Sequence, residues 1–300
     1  MSALTVVGIG ADGWPGLGEG ARRALRGARV VVGSRRQLGL LPDEVSAERR
    51  PLPSPLEPFL DDLVADQREG ICVLASGDPM LHGIGASLAR RARARRLEVH
   101  PYPSAFALAC ARLGWPAAEV ELVSAVGRLP AVLVRLLQPG RRLVAYVAGV
   151  DGARSLARLV TDRGYGPSRL VVLERLGAAE ERLVESTAAD FDADADPLHA
   201  VALEVRAAGG TVPLALTPGL PDEAYENDGQ LTKRQVRAVT LAALAPTPHS
   251  LLWDVGAGSG SIAVEWLRAE PTVTAVAVER DPVRAARVAR NAEALGVPDR

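Results

Sequence analysis

Three hundred residues is long for one ordinary domain and comfortable for two. A 48% hydrophobic share with 24% charged residues supports a buried core and excludes a disordered chain. Thirty-five basic against 36 acidic residues leave a formal charge of −1, which argues against a nucleic-acid binder, so an anionic ligand must be met by local basic clusters. Two cysteines, Cys72 and Cys110, cannot build a disulfide framework. Four scattered histidines without a Cys-x-x-Cys pair lead us to expect no metal. The chain start lacks a basic-then-apolar signal region, and no run of about 18 apolar residues occurs, so a cytoplasmic protein without membrane contact is expected.

The first element, Leu4 to Gly10, is short, β-branched and apolar, and stops at glycine as a buried parallel strand does. A helix is expected from about Gly18 to Arg26, then a strand over Ala28 to Gly33. Prolines at 51, 53, 55 and 58 break the chain before a helix from Pro58 to Gln67. Ile71 to Ala75 reads as a third strand and Gly83 to Arg93 as an amphipathic helix. The arginine-rich run Arg90 to Arg96 reads as a solvated face. Val99 to Tyr102 is extended, and Ser104 is the expected N-cap of a helix through Ala111. Strands at 122–124, 143–147, 170–173 and 199–205, with a helix near 153–162, complete an α/β pattern with a largely parallel sheet split into two halves.

Residues 207–213, with two glycines and a proline, mark the expected linker. Beyond it come a turn-rich acidic stretch from Pro218 to Gly229 and a helix to Leu244 with Thr232 as N-cap. A buried strand over Ser250 to Val255, a helix to Arg268, a strand over Val273 to Glu279 and a helix over Asp281 to Leu295 follow. Two strands are too few for a doubly wound domain, so this unit is expected to be the first part of one, truncated.

Chemistry is expected at the loops. In Trp253-Asp254-Val255-Gly256-Ala257-Gly258-Ser259-Gly260, glycines at alternate positions let a ligand lie against the backbone, and the following helix start offers amide donors. Glu279 closes the next strand about 20 residues on, where a carboxylate can accept ribose hydroxyls. Gly-x-Gly-x-Gly with Asp254 two places ahead is closer to a methyltransferase loop than to the dinucleotide fingerprint. An NAD-type unit, or a glycine turn without a ligand, is the alternative. Ser76-Gly77-Asp78-Pro79 also sits at a strand's carboxyl end; alone it could be a simple turn. His82 in the same loop reads as a polar loop residue. The loops at Gly8 to Gly13 and Pro101 to Phe106 share that position.

Taken in order, Gly8-x-Gly10, Leu74 to Pro79, Pro103-Ser104-Ala105, Ser124-Ala125-Val126-Gly127-Arg128 and Leu176-Gly177-x-x-x-Glu181 resemble the tetrapyrrole (corrin/porphyrin) methylase family. The likeness is greatest to its cobalamin-pathway branch that methylates C5 of the ring. Thr217 to Asp222, Thr232-Lys233-Arg234-x-Val236-Arg237, Trp253 to Ser261 and Glu265-Trp266 resemble a class I methyltransferase that methylates C15 and removes a carboxyl group. The chain departs from these patterns at Val126, where the family often has His, and at Gln235, where Glu is usual.

The resemblance implies a two-lobed tetrapyrrole methylase (class III methyltransferase) fold over residues 1–207, a linker over 208–213, and the start of a Rossmann-like class I methyltransferase fold over 214–300. It implies S-adenosylmethionine-dependent methylation of a precorrin at C5 and C15 with decarboxylation of the ring C acetate, in cobalamin biosynthesis. S-adenosylmethionine is expected at two sites. The first is formed by Gly8, Ile9, Gly10, Gly77, Asp78, Pro79, Leu81, Ser104 and Ala105, the second by Asp254, Gly256, Ala257, Gly258, Ser259 and Glu279. Arg128, Lys233, Arg234 and Arg237 are the implied partners of the substrate's carboxylates. No catalytic acid or base is implied; a homo-oligomer is. Another methyltransferase of the same family, fused to an NAD-binding or non-catalytic module, is the alternative.

Overall fold

The computed structural model describes residues 4–65, 70–92 and 97–300. They form two compact units, residues 1–117 with 173–183, and residues 118–172 with 184–300.

In the first unit, β1 (Leu4–Ile9), β2 (Val30–Gly33), β3 (Glu48–Pro51), β4 (Ile71–Ser76) and β5 (Leu97–His100) form a parallel sheet in the order β3-β2-β4-β1-β5. Helices α1 (Glu19–Arg26), α2 (Arg35–Gly39), α3 (Glu57–Ala65), α4 (Ile84–Arg91) and α5 (Ala105–Leu113) connect or follow the strands. Successive strand residues face opposite ways. Val7, Ile9, Val31, Cys72 and Leu74 pack with Ala21 and Leu25 of α1 and Leu38 of α2. Val6, Val30, Val32, Val73 and Ala75 pack with Leu60 and Leu63 of α3 and Leu88 of α4. This two-sided burial explains why these strands read as unbroken apolar runs.

Strand β3 is different: Glu48-Arg49-Arg50-Pro51 is exposed along its whole length. Its charges and proline protect a sheet edge against further pairing. The sequence reading missed it, as it missed the five-residue α2. Arg90 and Arg91 end α4 on a solvated face, with Arg91 bonded to Asp61 at 2.9 Å and to Glu57. Gln67 and the rest of the arginine run, Arg93, Arg95 and Arg96, lie outside the described residues.

In a second sheet, which belongs to the second unit except for the 173–183 ends of two strands, β6 (Val120–Ser124), β7 (Arg142–Tyr146), β8 (Arg169–Glu174), β9 (Arg182–Thr187) and β10 (His199–Glu204) stand in the order β6-β7-β10-β8-β9. β6 runs parallel to β7 and β10 antiparallel to it, so this sheet is mixed rather than parallel. Helix α6 (Gly152–Val160) buries Ala153, Leu156, Ala157 and Val160 with Leu143, Leu170, Val172 and Leu203. The expected linker is tied down: Ala208 N–H donates to Gly164 O at 2.8 Å and Thr211 Oγ1 donates to the same carbonyl at 2.9 Å.

The rest of this unit comprises α7 (Arg234–Leu244), β11 (Leu251–Val255), α8 (Ser261–Ala269), β12 (Thr274–Val278) and α9 (Pro282–Ala294). β11 and β12 pair in parallel, Trp253 opposite Val276. Leu220, Tyr225, Leu241, Val264, Trp266 and Leu267 form their core. Two expectations need correction. Lys233, not Thr232, is the N-cap of α7, and no side chain caps it. The strand at 251–255 forms, but Leu251, Trp253 and Val255 are exposed, because one face of this two-stranded sheet is open. Among the described residues no helix is long and apolar enough to cross a membrane.

Candidate active site

Three loops leave adjacent strands at the carboxyl edge of the first sheet, after β1, β4 and β5, where open α/β sheets hold ligands. They touch through backbone. Gly77 N–H donates to Ile9 O at 3.0 Å. A Cβ on Gly8 would collide with the Gly77 carbonyl and lie 2.9 Å from Tyr102 Cβ. One on Gly10 would lie 2.5 Å from the Tyr102 ring, and one on Gly77 3.2 Å from Ser104 Cα. Only glycine permits this approach.

Of the nine residues expected at the first donor site, Gly8, Ile9, Gly10, Gly77, Ser104 and Ala105 fall at this junction, and Asp78, Pro79 and Leu81 continue the loop after Gly77. Their side chains do little. Asp78 Oδ1 accepts the Met80 N–H at 2.8 Å, fixing its own turn, and Leu81 N–H donates to Asp78 O at 3.3 Å. Pro79 O accepts from Ala86 N–H at 3.1 Å, and Ser104 Oγ caps α5 by accepting the Ala107 N–H at 3.1 Å. His82, at the end of the β4 loop, is exposed and takes a left-handed φ of 55°.

Two side chains at this junction were not singled out from sequence. Tyr102 Oη donates to Asp12 Oδ2 at 2.5 Å, while Asp12 Oδ1 is buried and has no hydrogen-bond partner among the described residues. Burial, and then the bond to Asp12, push the Tyr102 phenol up to about 12, so it stays protonated at neutral pH. No spacing rule pairs residues 90 positions apart. In the same unit, Glu181 Oε2 accepts the Gly177 N–H at 2.7 Å, and Arg112 forks onto both Glu181 oxygens at 2.5 and 3.0 Å. The Leu176–Glu181 motif is thus a loop tied by its own glutamate, whose pKa the Arg112 fork lowers.

The second loop follows β11. Gly256, Gly258 and Gly260 take φ of 85°, 59° and 74°, which side chains other than glycine rarely adopt. Glu279 Oε2 accepts the Gly258 N–H at 2.8 Å and Oε1 the Asp281 N–H at 3.0 Å, and these bonds lower its pKa. Each oxygen keeps a lone pair for a further donor. Asp254 Oδ2 accepts the Ala263 N–H at 3.3 Å, with its pKa raised by burial. Ala257 N–H donates to Val278 O at 3.1 Å, and Ser259 Oγ to Gln230 O at 3.3 Å.

Of the four basic residues expected to meet substrate, Lys233, Arg234 and Arg237 lie at the start of α7, and Arg128 follows β6. Arg237 is completely buried; its guanidinium donates to Glu265 and Asp222 at 2.8 Å each and to the carbonyls of Thr232 and Leu220. Glu265 also accepts from the Gly219 and Leu220 amides and the Tyr225 hydroxyl, so the Thr217–Asp222 motif closes on a buried ion pair. Arg234 Nε donates to Gly219 O at 2.7 Å, Arg128 pairs with Asp299 at 2.7 Å, and Lys233 is exposed, 3.9 Å from Asp222.

A cavity of about 350 Å³ lies between α1 and the first sheet, lined by Thr5, Arg23, Cys72, Glu98 and His100. It contains none of the loops above. Among the described residues no group of three His, Cys, Asp or Glu could hold a metal ion.

Residues 3–192 match the family model of the tetrapyrrole (corrin/porphyrin) methylases, and residues 223–300 that of the precorrin methyltransferase domain. A precorrin-6Y C(5,15)-methyltransferase (decarboxylating) of Sinorhizobium sp is 46% identical over 297 residues, 98% of this chain and 72% of that protein. A cobalt-precorrin-7 C(5)-methyltransferase of Salmonella typhimurium is 31% identical over 196 residues, 64% of this chain and 96% of its own length. The crystal structure of a precorrin-6Y methylase from Archaeoglobus fulgidus is similar with a TM-score of 0.54 at 27% identity, over 67% of this chain and 97% of that one. The chain belongs to the tetrapyrrole (corrin/porphyrin) methylases and is a methyltransferase of this S-adenosylmethionine-dependent family.

Proposed function

We propose that the chain methylates a precorrin at C5 and C15 with S-adenosylmethionine and removes the carboxyl group of the ring C acetate, within cobalamin biosynthesis. Residues 1–207 would carry the C5 reaction, residues 208–213 link, and residues 214–300 contribute to the C15 reaction. The observation that carries the reading is the junction of Gly8, Gly77 and Ser104, where three loops at the carboxyl edge of the first sheet converge backbone against backbone. The relative of 46% identity, named for both methylations, supports it.

The residues fit the donor. At the second loop nothing lies within 4 Å of a Cβ on Gly256, so a ligand can lie against main chain there, and at the first the buried Asp12 Oδ1, unpartnered among the described residues, suits a cationic or N–H-bearing group. Bound S-adenosylmethionine supplies an electrophilic methyl group on sulfur. In this reading Gly8, Ile9, Gly10, Gly77, Asp78, Pro79, Leu81, Ser104 and Ala105 shape the first donor site. Asp254, Gly256, Ala257, Gly258 and Ser259 shape the second, where Glu279 accepts the ribose hydroxyls. The reduced ring supplies the carbon nucleophile, so the protein's work is orientation and exclusion of water. Lys233 and Arg234, at the surface, are the stronger candidates for the ring's carboxylates. Arg237 serves by holding α7 to the 219–225 strap, and Arg128 could reach substrate only on releasing Asp299. We place the enzyme in the cytoplasm as a homo-oligomer without nucleic-acid or metal partners.

Incubation of the purified protein with methyl-labelled donor and precorrin-6B, followed by mass spectrometry of the product, tests this. Gain of one or two methyl groups, with or without loss of CO2, is expected and assigns each reaction. Donor binding with no transfer to the ring would overturn the reading. Calorimetric binding of NAD in place of the donor would instead favour an oxidoreductase module.

A further inference from the structure

Beside the three loops, where β2 and β4 end, the side chains of Arg36, Gln37 and Ser76 meet. Ser76 Oγ accepts from Arg36 Nη2 at 3.0 Å and from Gln37 Nε2 at 3.0 Å. The orientation of Gln37 is forced. It is buried, and its Oε1 accepts the Ser34 N–H at 2.7 Å while Ser34 Oγ accepts the Gln37 N–H at 3.2 Å, a reciprocal capping box. A backbone N–H can only donate, so the amide oxygen must face Ser34 and the amide nitrogen Ser76. A hydroxyl has two lone pairs and one hydrogen. Both lone pairs of Ser76 are taken, which leaves its O–H to donate outward.

Arg36 adds charge to this arrangement. Arg26, Arg50, Arg91 and Arg112 of the same unit each pair with a carboxylate. Among the described residues Arg36 has no such partner; its guanidinium bonds Ser76. Partial burial without a counter-ion lowers its pKa from the ordinary arginine value. The cluster therefore offers several N–H groups, one O–H and a positive charge, and no free acceptor. It stands one residue before Gly77, and Ser76 is in register with Ile9 of the first glycine loop. The chemical complement of such a cluster is an anion with two oxygens on one centre, since a guanidinium fork matches a carboxylate.

We propose that Arg36 and Ser76 bind a carboxylate at the first methylation site. This rests on the methyltransferase reading above. Two sources carry that chemistry there, an acetate or propionate arm of the ring and the α-carboxylate of the donor. Replacing Arg36 is expected to leave the fold intact, since the residue is largely at the surface and its guanidinium bonds only Ser76 among the described residues.

Equilibrium binding of precorrin-6B, read by its visible absorbance, and of S-adenosylhomocysteine, read by calorimetry, should be compared for wild type, Arg36→Met, Arg36→Lys and Ser76→Ala. Melting temperatures serve as the folding control. Arg36→Met is expected to weaken one of the two ligands by about tenfold or more, the size of a lost charge-assisted pair. Weakened precorrin binding with unchanged S-adenosylhomocysteine assigns the ring arm; the reverse assigns the donor. Arg36→Lys should restore only part of the loss, and Ser76→Ala should weaken the same ligand by a smaller factor. Wild-type binding of both ligands with equal binding by Arg36→Met would overturn the proposal and leave the methyltransferase reading standing. Failure of wild type to bind either ligand would remove both.

Discussion

A methyl group added at Gly8 would strike the Gly77 carbonyl, whereas one added at Gly256 would meet nothing within 4 Å. Gly8 and Gly10 have unexceptional φ; Gly256, Gly258 and Gly260 are all left-handed. The two glycine loops, so alike in sequence, answer different physical demands. In the first unit glycine provides room for three backbones to converge, and in the second it provides a conformation. Gly260 has both constraints, because a Cβ there would lie 2.7 Å from Val288. A glycine pattern alone therefore does not say what a substitution will do, but the packing around each glycine does.

The largest effect should come from the ion pair beneath the second loop. Arg237→Met leaves Glu265 buried and unpaired and is expected to cost about 3–5 kcal/mol. Thermal melting measures it. If the two loops are independent, S-adenosylhomocysteine binding to the first unit will not change, and parallel loss at both would break the comparison. Next, Gly8→Ala should cost about 3 kcal/mol by overpacking and abolish donor binding at the first junction. Gly256→Ala should cost only about 1–2 kcal/mol, the strain of a left-handed residue. Equal costs for the two would show that space and conformation had been wrongly separated.

The smallest effect concerns Tyr102→Phe, at under about 1 kcal/mol near neutral pH for one hydrogen bond. Its signature is in the pH dependence. The phenol sits at about 12 in the folded protein against 10 for the free group. The hydrogen bond is thus fully present below pH 10 and is lost as pH rises toward 12. Wild type should lose more stability over that window by absorbance-monitored melting than Tyr102→Phe, which keeps the losses from Cys72 and the other buried groups but not that of Tyr102. Identical curves would remove the Asp12–Tyr102 bond from the site.

What the sequence revealed follows from how each feature is encoded. β1, β2 and β4 are buried on both faces, so each is an apolar run ended by glycine or serine, and the loops beyond β1 and β4 were found with the strands. β3 carries only charge and proline because it is an exposed edge, so it has no hydrophobic signature. Burial of β11 was overestimated because Leu251, Trp253 and Val255 are apolar whether or not anything covers them. Among site residues, the cradle was visible as spacing. The partners of Arg237, 15 and 28 residues away at Asp222 and Glu265, were not, and its place beside a motif suggested a surface role. Asp12 and Tyr102 lay in recognised loops, yet only the parallel pairing of β1 with β5 brings those loops together.

The open face of β11 and β12 sets Trp253, 63% exposed, between Leu251 and Val255 and three residues before Gly256. An indole in that setting is a built-in fluorophore. Whatever shields that stripe, whether further polypeptide or another molecule, should move its emission to shorter wavelength. Trp14 of the first unit instead stacks under Arg22 and Arg26, with the guanidinium carbons 5.6 and 5.3 Å from its ring centre. Trp253→Phe would isolate its signal from those of Trp14, Trp115 and Trp266, and occupancy beside the second loop could be followed by that difference.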